Sequence, residues 1–366
     1  MRVLLVTPLL DKPGGVASYY KALQNHLTEE VEYFTVGART DDESLVSILV
    51  RSLSDCVNFF RKLKRGNYDL VHLNPSLGPK ALVRDGMLIL IAKALRVRII
   101  VFVHGWDVRC EHLIRKHFLS IFRIVYGKAN AFIVLGTEFR DKLIKMGCTD
   151  CIFLEKTIVE DEFFLRSTAL RRQWSNGGEG KKLNILALTR IEKTKGVYEA
   201  VDAYCILKRK FPWITLTIAG DGPELQAVKQ YVHDMKTSDV DFLGHVQGEQ
   251  KHTTFEHADI YLFPTSYGEG MPIAILEAMA YSLPVVTRPV GGIRDYFENG
   301  HMGFITESLD PNVFAGLLET LIVDNALRLT IGAFNRDYAR EHFTAKKAAG
   351  RLQGIYRKVL ANASDR

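Results

Sequence analysis

Short β-branched or apolar runs alternate with amphipathic stretches along this chain, in two successive series of six. The first series reads Arg2–Val6, Glu32–Val36, Leu70–Leu73, Arg98–Val103, Ala131–Leu135 and Cys151–Leu154. Helical patterns fill the gaps, at Gly15–Leu27, Glu43–Leu63, Pro79–Leu95, Glu111–Tyr126 and Thr137–Lys145. Strand, helix, strand repeated in this way predicts a parallel sheet with helices on both faces. The polar, glycine-rich stretch 170–182 then reads as a linker. The alternation restarts with strands at Asn184–Leu188, Trp213–Ala219, Asp241–Leu243, Ile260–Phe263, Pro284–Thr287 and Gly303–Ile305. A basic amphipathic helix, Ala345–Ala361, ends the pattern. The 366 residues suffice for two such domains, each with its own core.

The expected organisation is therefore a first α/β domain over 1–169 and a linker over 170–182. A second such domain follows over 183–344, and a C-terminal helix over 345–366 ends the chain's pattern. Parallel sheets of this kind take ligands outside the carboxyl ends of their strands. The 25% charged and 47% hydrophobic content excludes a disordered chain or a disulfide-rich miniprotein. Five cysteines, an odd and sparse set, predict reduced thiols in a cytoplasmic compartment. Cys148 and Cys151 form a C-x-x-C with no second pair or nearby histidine to complete a zinc site. The longest apolar stretch, Gly86–Val103, is interrupted by Lys93, Arg96 and Arg98, so no segment reads as a membrane span.

Charge is uneven. Residues 1–182 hold 28 Lys+Arg against 20 Asp+Glu, whereas 183–366 hold 20 against 22. Such asymmetry points to an anionic partner on the first half. In Glu111–Lys128, apolar residues recur at helical spacing with Arg115, Lys116 and Arg123 elsewhere around the helix. That pattern suits either packing on a sheet or rest on anionic lipid.

Several strand-to-helix turns carry chemistry. Gly14 and Gly15 follow the first strand and open a helix, where backbone N–H groups and the helix dipole favour an anion. The turn is not G-x-G-x-x-G, which argues against a nicotinamide dinucleotide. Arg190 stands just past a strand of the second half, and Lys195 immediately before Gly196 and a helix. A guanidinium fork and a compact ammonium could together neutralise a diphosphate. Gly220-Asp221-Gly222-Pro223 is a further tight turn. In Pro264–Ala280, Glu269 lies in a glycine-flanked loop, Pro272 favours a helix start, and Glu277 lies within that helix. Two carboxylates and free first-turn N–H groups suit sugar hydroxyls and phosphate oxygens.

Glu269 and Glu277 form E-x7-E. With Arg190, Lys195-Gly196, Gly220-Asp221-Gly222-Pro223, Leu283–Thr287 and Val290–Ile293, the ordered set resembles the family 4 retaining glycosyltransferases of GT-B fold. The resemblance implies two Rossmann-like domains with parallel sheets facing a central cleft, 1–169 on the acceptor side and 183–344 binding the nucleotide sugar, with the C-terminal helix 345–366 packing back toward the first. It implies that Arg190 and Lys195 stabilise the diphosphate leaving group, that Glu269 contacts the transferred sugar, and that Glu277 contacts the ribose. The backbone of Gly270, Met271 and Pro272 would cradle sugar or phosphate, and Gly14 and Gly15 would border the diphosphate. His104, which follows Val101–Val103, matches the family's active-site histidine. Three departures stand out: Thr189 and Ser282 occupy positions where the family usually has glycine, and Lys156-Thr157-Ile158-Val159 replaces an expected Asn-Gly-Val-Asp.

The function so implied is metal-independent, retaining transfer of a hexose from a UDP- or GDP-sugar to a glycan or glycolipid, in polysaccharide or lipopolysaccharide biosynthesis. No cofactor beyond the donor substrate and no nucleic acid is expected. The setting implied is the cytoplasm, against the anionic inner face of the cell membrane. A nucleotide-sugar 2-epimerase on the same fold and a non-catalytic partner subunit are the alternatives.

Overall fold

A computed structural model of the chain describes residues 1–11, 14–37, 45–75, 78–148, 151–166, 182–268 and 270–361. It divides into two compact units. The first comprises 1–157 together with 268–271 and 345–366; the second comprises 158–267 and 272–344. Most of the glycine-rich stretch expected as a linker, 170–181, lies outside the described residues.

The first unit is built on a six-stranded sheet: β1 Arg2–Thr7, β2 Glu30–Thr35, β3 Leu70–Leu73, β4 Arg98–Val103, β5 Ala131–Val134 and β6 Ile152–Leu154. The spatial order is β2-β1-β3-β4-β5-β6, and every pairing is parallel. Val3–Val6 and Ile99–Val103 are almost wholly buried. Continuous apolar runs of this kind are what a strand needs when helices cover both of its faces. The C-terminal helix Ala345–Ala361 belongs to this unit. Its Tyr356 hydroxyl bonds His72, its Arg351 pairs with the buried Glu155, and its last carbonyls at Val359 and Leu360 accept from Arg98.

The second unit repeats the plan with β7 Leu183–Leu188, β8 Ile214–Ala219, β9 Val240–Gly244, β10 Ile260–Phe263, β11 Val285–Thr287 and β12 Gly303–Ile305. Its order is β12-β11-β10-β7-β8-β9, again all parallel. Each unit is thus a doubly wound α/β domain of Rossmann type. Strand order reverses between β1 and β3 in the first unit and between β10 and β7 in the second. Those reversals open a crevice at the carboxyl ends, where such sheets bind ligands.

Two elements differ from the sequence reading. The helix expected over Glu111–Tyr126 is three pieces, Val108–Leu113, a π-helical turn Ile114–Phe118, and Leu119–Val125. An 18-residue helix, Asn325–His342, carries no apolar stripe that the pattern would catch. Among the described residues no helix is long and apolar enough to cross a membrane.

Candidate functional site

In the second unit, the loops after β7 and β10 flank the reversal in strand order. Arg190 and Lys195 sit on the first of these loops. The loop is held by backbone bonds: Thr189 N–H donates to Ala219 (3.0 Å) and Ile191 N–H to Asp221 (2.9 Å). Gly220 and Gly222 are required here, because a Cβ would lie 1.8 Å from the Thr189 carbonyl or 2.4 Å from that of Ile191. The Thr194 carbonyl accepts from the N–H groups of Ser266 (2.8 Å) and Tyr267 (3.0 Å), which fastens the Lys195 turn to the loop after β10. Gly196 follows at φ +79°, with its hypothetical Cβ 2.2 Å from the Pro264 carbonyl.

Lys195 Nζ stands 4.2 Å from the ring centroid of Tyr267, and the ring face attracts the cation. Arg190 pairs with Glu192 at 2.9 Å but remains 69% exposed. An exposed pair of this kind is worth roughly 0–1 kcal/mol, so the guanidinium can turn to a stronger anion at little cost.

Glu277 lies on helix Ile273–Ala280, behind the loop after β10, and is buried. Its Oε1 accepts from Lys251 Nζ at 2.5 Å, while its Oε2 is buried with no hydrogen-bond partner among the described residues. Burial pushes the Glu277 carboxyl pKa up, and Lys251 opposes that push. Lys251 also lies 5.5 Å from the ring centroid of Phe163. Pro272 precedes the helix and, lacking an N–H, offers no donor. The neighbouring N–H groups of Ile273 and Ala274 find no acceptor among the described residues. Glu269 lies outside the described residues.

In the first unit, Gly14 (φ +153°) precedes helix Gly15–Leu23, and no side chain caps that helix. Among the described residues, a Cβ on Gly14 or Gly15 would meet nothing within 4 Å. Gly270 packs so close to His104 that a Cβ would lie 2.8 Å from its carbonyl oxygen. The Met271 sulfur accepts from the Thr157 N–H at 3.3 Å.

His104 follows β4 and stacks on Phe102, ring centroids 3.7 Å apart. Its Nε2 lies 3.0 Å from Asn74 Oδ1. Asn74 Nδ2 donates to the Val6 carbonyl at 2.8 Å, and the Tyr20 hydroxyl donates to Asn74 Oδ1 at 2.6 Å. Oδ1 is therefore an acceptor, and His104 must carry its proton on Nε2. The chain of bonds continues inward. Tyr20, having spent its proton on Asn74, accepts from His72 Nε2 (3.1 Å), and His72 Nδ1 accepts from Tyr356 (2.6 Å). Desolvation pushes both His72 and His104 down to about 3, so both rings are neutral at pH 7. His104 is left with Nδ1 as an unprotonated acceptor.

The sequence reading missed Asn74, Tyr20, His72 and Lys251. Asn74 had a signal, a polar residue immediately past the apolar strand β3. Lys251 had none, lying 26 positions from its partner. Among the described residues no group of three or more His, Cys, Asp or Glu side chains could hold a metal ion.

Residues 171–338 match the family described as glycosyl transferases group 1. The chain is 28% identical over 233 residues to the amylovoran biosynthesis glycosyltransferase AmsK of Erwinia amylovora, covering 62% of this chain and 55% of that protein. It is 29% identical over 173 residues to the capsular polysaccharide biosynthesis glycosyltransferase CapM of Staphylococcus aureus, covering 47% and 45%. The chain spans about half the length of the curated relatives it matches. Among solved structures, HepE of Anabaena, in complex with UDP and glucose, superposes with a TM-score of 0.72 at 18% identity, covering 97% of this chain and 99% of that one. That likeness identifies the two-domain GT-B fold. In fold throughout, and in sequence over its second unit, the chain resembles the group 1 glycosyltransferases.

Proposed function

We propose that this protein is a retaining glycosyltransferase that moves a hexose from a nucleotide diphosphate sugar to a glycan or glycolipid hydroxyl, in the assembly of a polysaccharide. The observation that carries the reading is the second unit's loop pair. Arg190 and Lys195 stand at the carboxyl end of β7, fastened through Thr194 to the loop after β10. Two cations on the loop after β7, one of them held on the turn fastened to the loop after β10, suit a departing diphosphate, and such stabilisation is usually the largest single contribution to a transfer of this kind.

In the proposed step the acceptor oxygen bonds to the anomeric carbon on the face the diphosphate leaves. The carbon–oxygen bond to the diphosphate breaks with its electron pair going to the phosphate, and the acceptor's proton passes to that phosphate oxygen. Arg190 and Lys195 supply the positive charge that another enzyme would draw from a metal ion. Buried Glu277, with one oxygen on Lys251 and the other unpartnered, is the group offered to the ribose. Glu269 is assigned to the transferred sugar by resemblance alone. His104, neutral and with Nδ1 as acceptor, is offered to a sugar hydroxyl. UDP or GDP is the donor nucleotide proposed; the UDP bound to HepE supports the first.

The test is a screen of UDP- and GDP-hexoses for hydrolysis and transfer, with product anomers read by NMR. Lys195→Ala and Arg190→Ala are each expected to lower turnover at least about a hundredfold, the scale of losing one preorganised contact. Near-normal turnover in both variants, or inversion at the anomeric carbon, would reject the reading.

A further inference from the structure

Tyr267 stands in the loop after β10, two positions before Glu269, and neither the sequence motif nor the proposed transfer gives it a role. Its side chain is 44% exposed, and the Lys195 ammonium lies over its ring at 4.2 Å. A large aromatic residue held open to solvent, on a loop beside a cation offered to substrate, points to a use in binding.

The contact is imposed by the backbone. The Thr194 carbonyl, one residue before Lys195, accepts from the N–H groups of Ser266 (2.8 Å) and Tyr267 (3.0 Å). The hydroxyls of Thr265 (3.3 Å) and Ser266 (3.2 Å) reach the same oxygen. Thr265 is fully buried, and its Oγ1 accepts from the Tyr267 N–H at 3.1 Å. On the other side of Lys195, Gly196 adopts φ +79° against the Pro264 carbonyl. The chain is thus pinned on both sides of Lys195 and at the root of Tyr267. Ring and ammonium are brought together by hydrogen bonds that neither of the two side chains makes.

A ring suits this task in a way that a carboxylate does not. A lysine ammonium rides on a flexible four-carbon stem, so an exposed one spends little of its time at any single point. A carboxylate would hold it but oppose its charge, as Glu192 does for Arg190 at 2.9 Å. An aromatic face attracts the cation through its quadrupole and carries no net charge. It also takes only one side of the ammonium, which leaves N–H donors for a phosphate oxygen. The fraction of molecules with the ammonium already in place multiplies directly into the apparent affinity.

We propose that Tyr267 is a positioning residue of the donor site: its ring stations the Lys195 ammonium, without cancelling its charge, where the donor's diphosphate binds. The inference rests on the diphosphate reading of Arg190 and Lys195. It gives the loop after β10 a task separate from the one assigned to Glu269.

Calorimetric titration of the full chain with UDP and with GDP, alongside turnover, tests it. Tyr267→Leu is expected to raise the dissociation constant of the nucleotide about fivefold, the scale of one exposed cation–ring contact. Turnover should fall at least as far, because charge builds on the diphosphate as its bond to the sugar breaks. Tyr267→Phe keeps the ring face and should recover both. In a Lys195→Met background Tyr267→Leu should change neither, whereas a ring that merely supports the loop would still be missed. The contact is also read without any ligand. The Lys195 ε-methylene protons should lie upfield in wild type and return to the ordinary lysine position in Tyr267→Leu. Because Tyr267 is exposed, the melting curve of that variant should match wild type. Failure of wild type to bind either nucleotide would overturn the diphosphate reading and this inference with it. Nucleotide binding that Tyr267→Leu leaves unchanged, a loss that Tyr267→Phe does not restore, or an unshifted Lys195 methylene would overturn the inference alone.

Discussion

The Asn74 side-chain oxygen lies 3.0 Å from His104 Nε2, and the same amide is oriented by its donation to the Val6 carbonyl at 2.8 Å. An amide held at both ends dictates which ring nitrogen of the histidine carries the proton. Asn74→Leu removes that control while preserving bulk. Turnover is expected to fall about a hundredfold, the cost of misplacing a reacting group. Asn74→Asp puts a negative charge beside the ring, which favours its protonated form and raises its pKa. The pH–rate profile of that variant should gain an ionisation absent from wild type, and the ring's NMR titration should move upward with it. Unchanged rates together with flat profiles in both variants would dissociate Asn74 from the chemistry.

The inner end of the same network predicts a stability effect. His72 is fully buried and held at about 3, below the ordinary histidine value of about 6.5. Between those values the unfolded chain takes up a proton that the folded chain refuses. Its contribution to stability is therefore complete above about pH 6.5 and is lost as pH falls toward 3. At pH 5 the loss from this one residue is about 2 kcal/mol. Urea midpoints measured from pH 7 to pH 5 should decline, and His72→Gln should flatten the decline whatever its effect on absolute stability. An equal slope in the variant would remove His72 from the account.

Much of the architecture was legible because parallel, doubly covered strands are continuous apolar runs. β3, β4, β10 and β12 were read with their observed ends for that reason. Helix Asn325–His342 was not legible, because its inward face is Ile331, Gly332, Asn335 and Ala339 rather than a stripe of large apolar residues. Asn335 is buried there and donates to the Leu283 and Met302 carbonyls, and Gly332 sits where a Cβ would be 2.1 Å from the Ser282 carbonyl. Polar and small residues can face a core when backbone groups receive them, and hydrophobic periodicity does not register that. The π-helical turn was equally silent, since Ile114, Phe118 and Phe122 keep helical spacing through it. Ser282 is the converse case. Its departure from glycine was visible in the sequence, and it adopts φ +62°, backbone that glycine favours.

At the candidate site, the loop residues were legible as glycines and cations past strand ends, whereas their supports were not. Gly196 illustrates this, and it makes a prediction by contrast with Gly15. Gly196→Ala must place a Cβ 2.2 Å from the Pro264 carbonyl at φ +79°, so the turn carrying Lys195 has to move. Stability should drop by about 2 kcal/mol or more, and nucleotide-sugar binding should fall with it. Gly15→Ala meets open space at a φ outside the left-handed range. Its melting temperature should stay close to wild type. Thermal shift with and without UDP-sugars separates the two, and equal tolerance of both substitutions would contradict the fastening of the loops.

Lys251 and Glu277 give the sharpest test of a residue invisible to sequence reading. The carboxylate is buried with one oxygen on the ammonium and the other unpartnered. Removing the cation alone strands a charge in the core. Lys251→Met is therefore expected to cost about 3 kcal/mol or more, as broken buried pairs do. Glu277→Leu in the same background takes the stranded charge away and should recover most of that loss, because a buried pair replaced by apolar residues is often neutral. The double variant should then fold well and yet bind nucleotide sugar poorly, if the unpartnered oxygen is what meets the ribose. Denaturation midpoints and donor binding by calorimetry measure the two effects independently. Recovery of both stability and donor affinity would make the pair a structural device and leave the ribose to another residue.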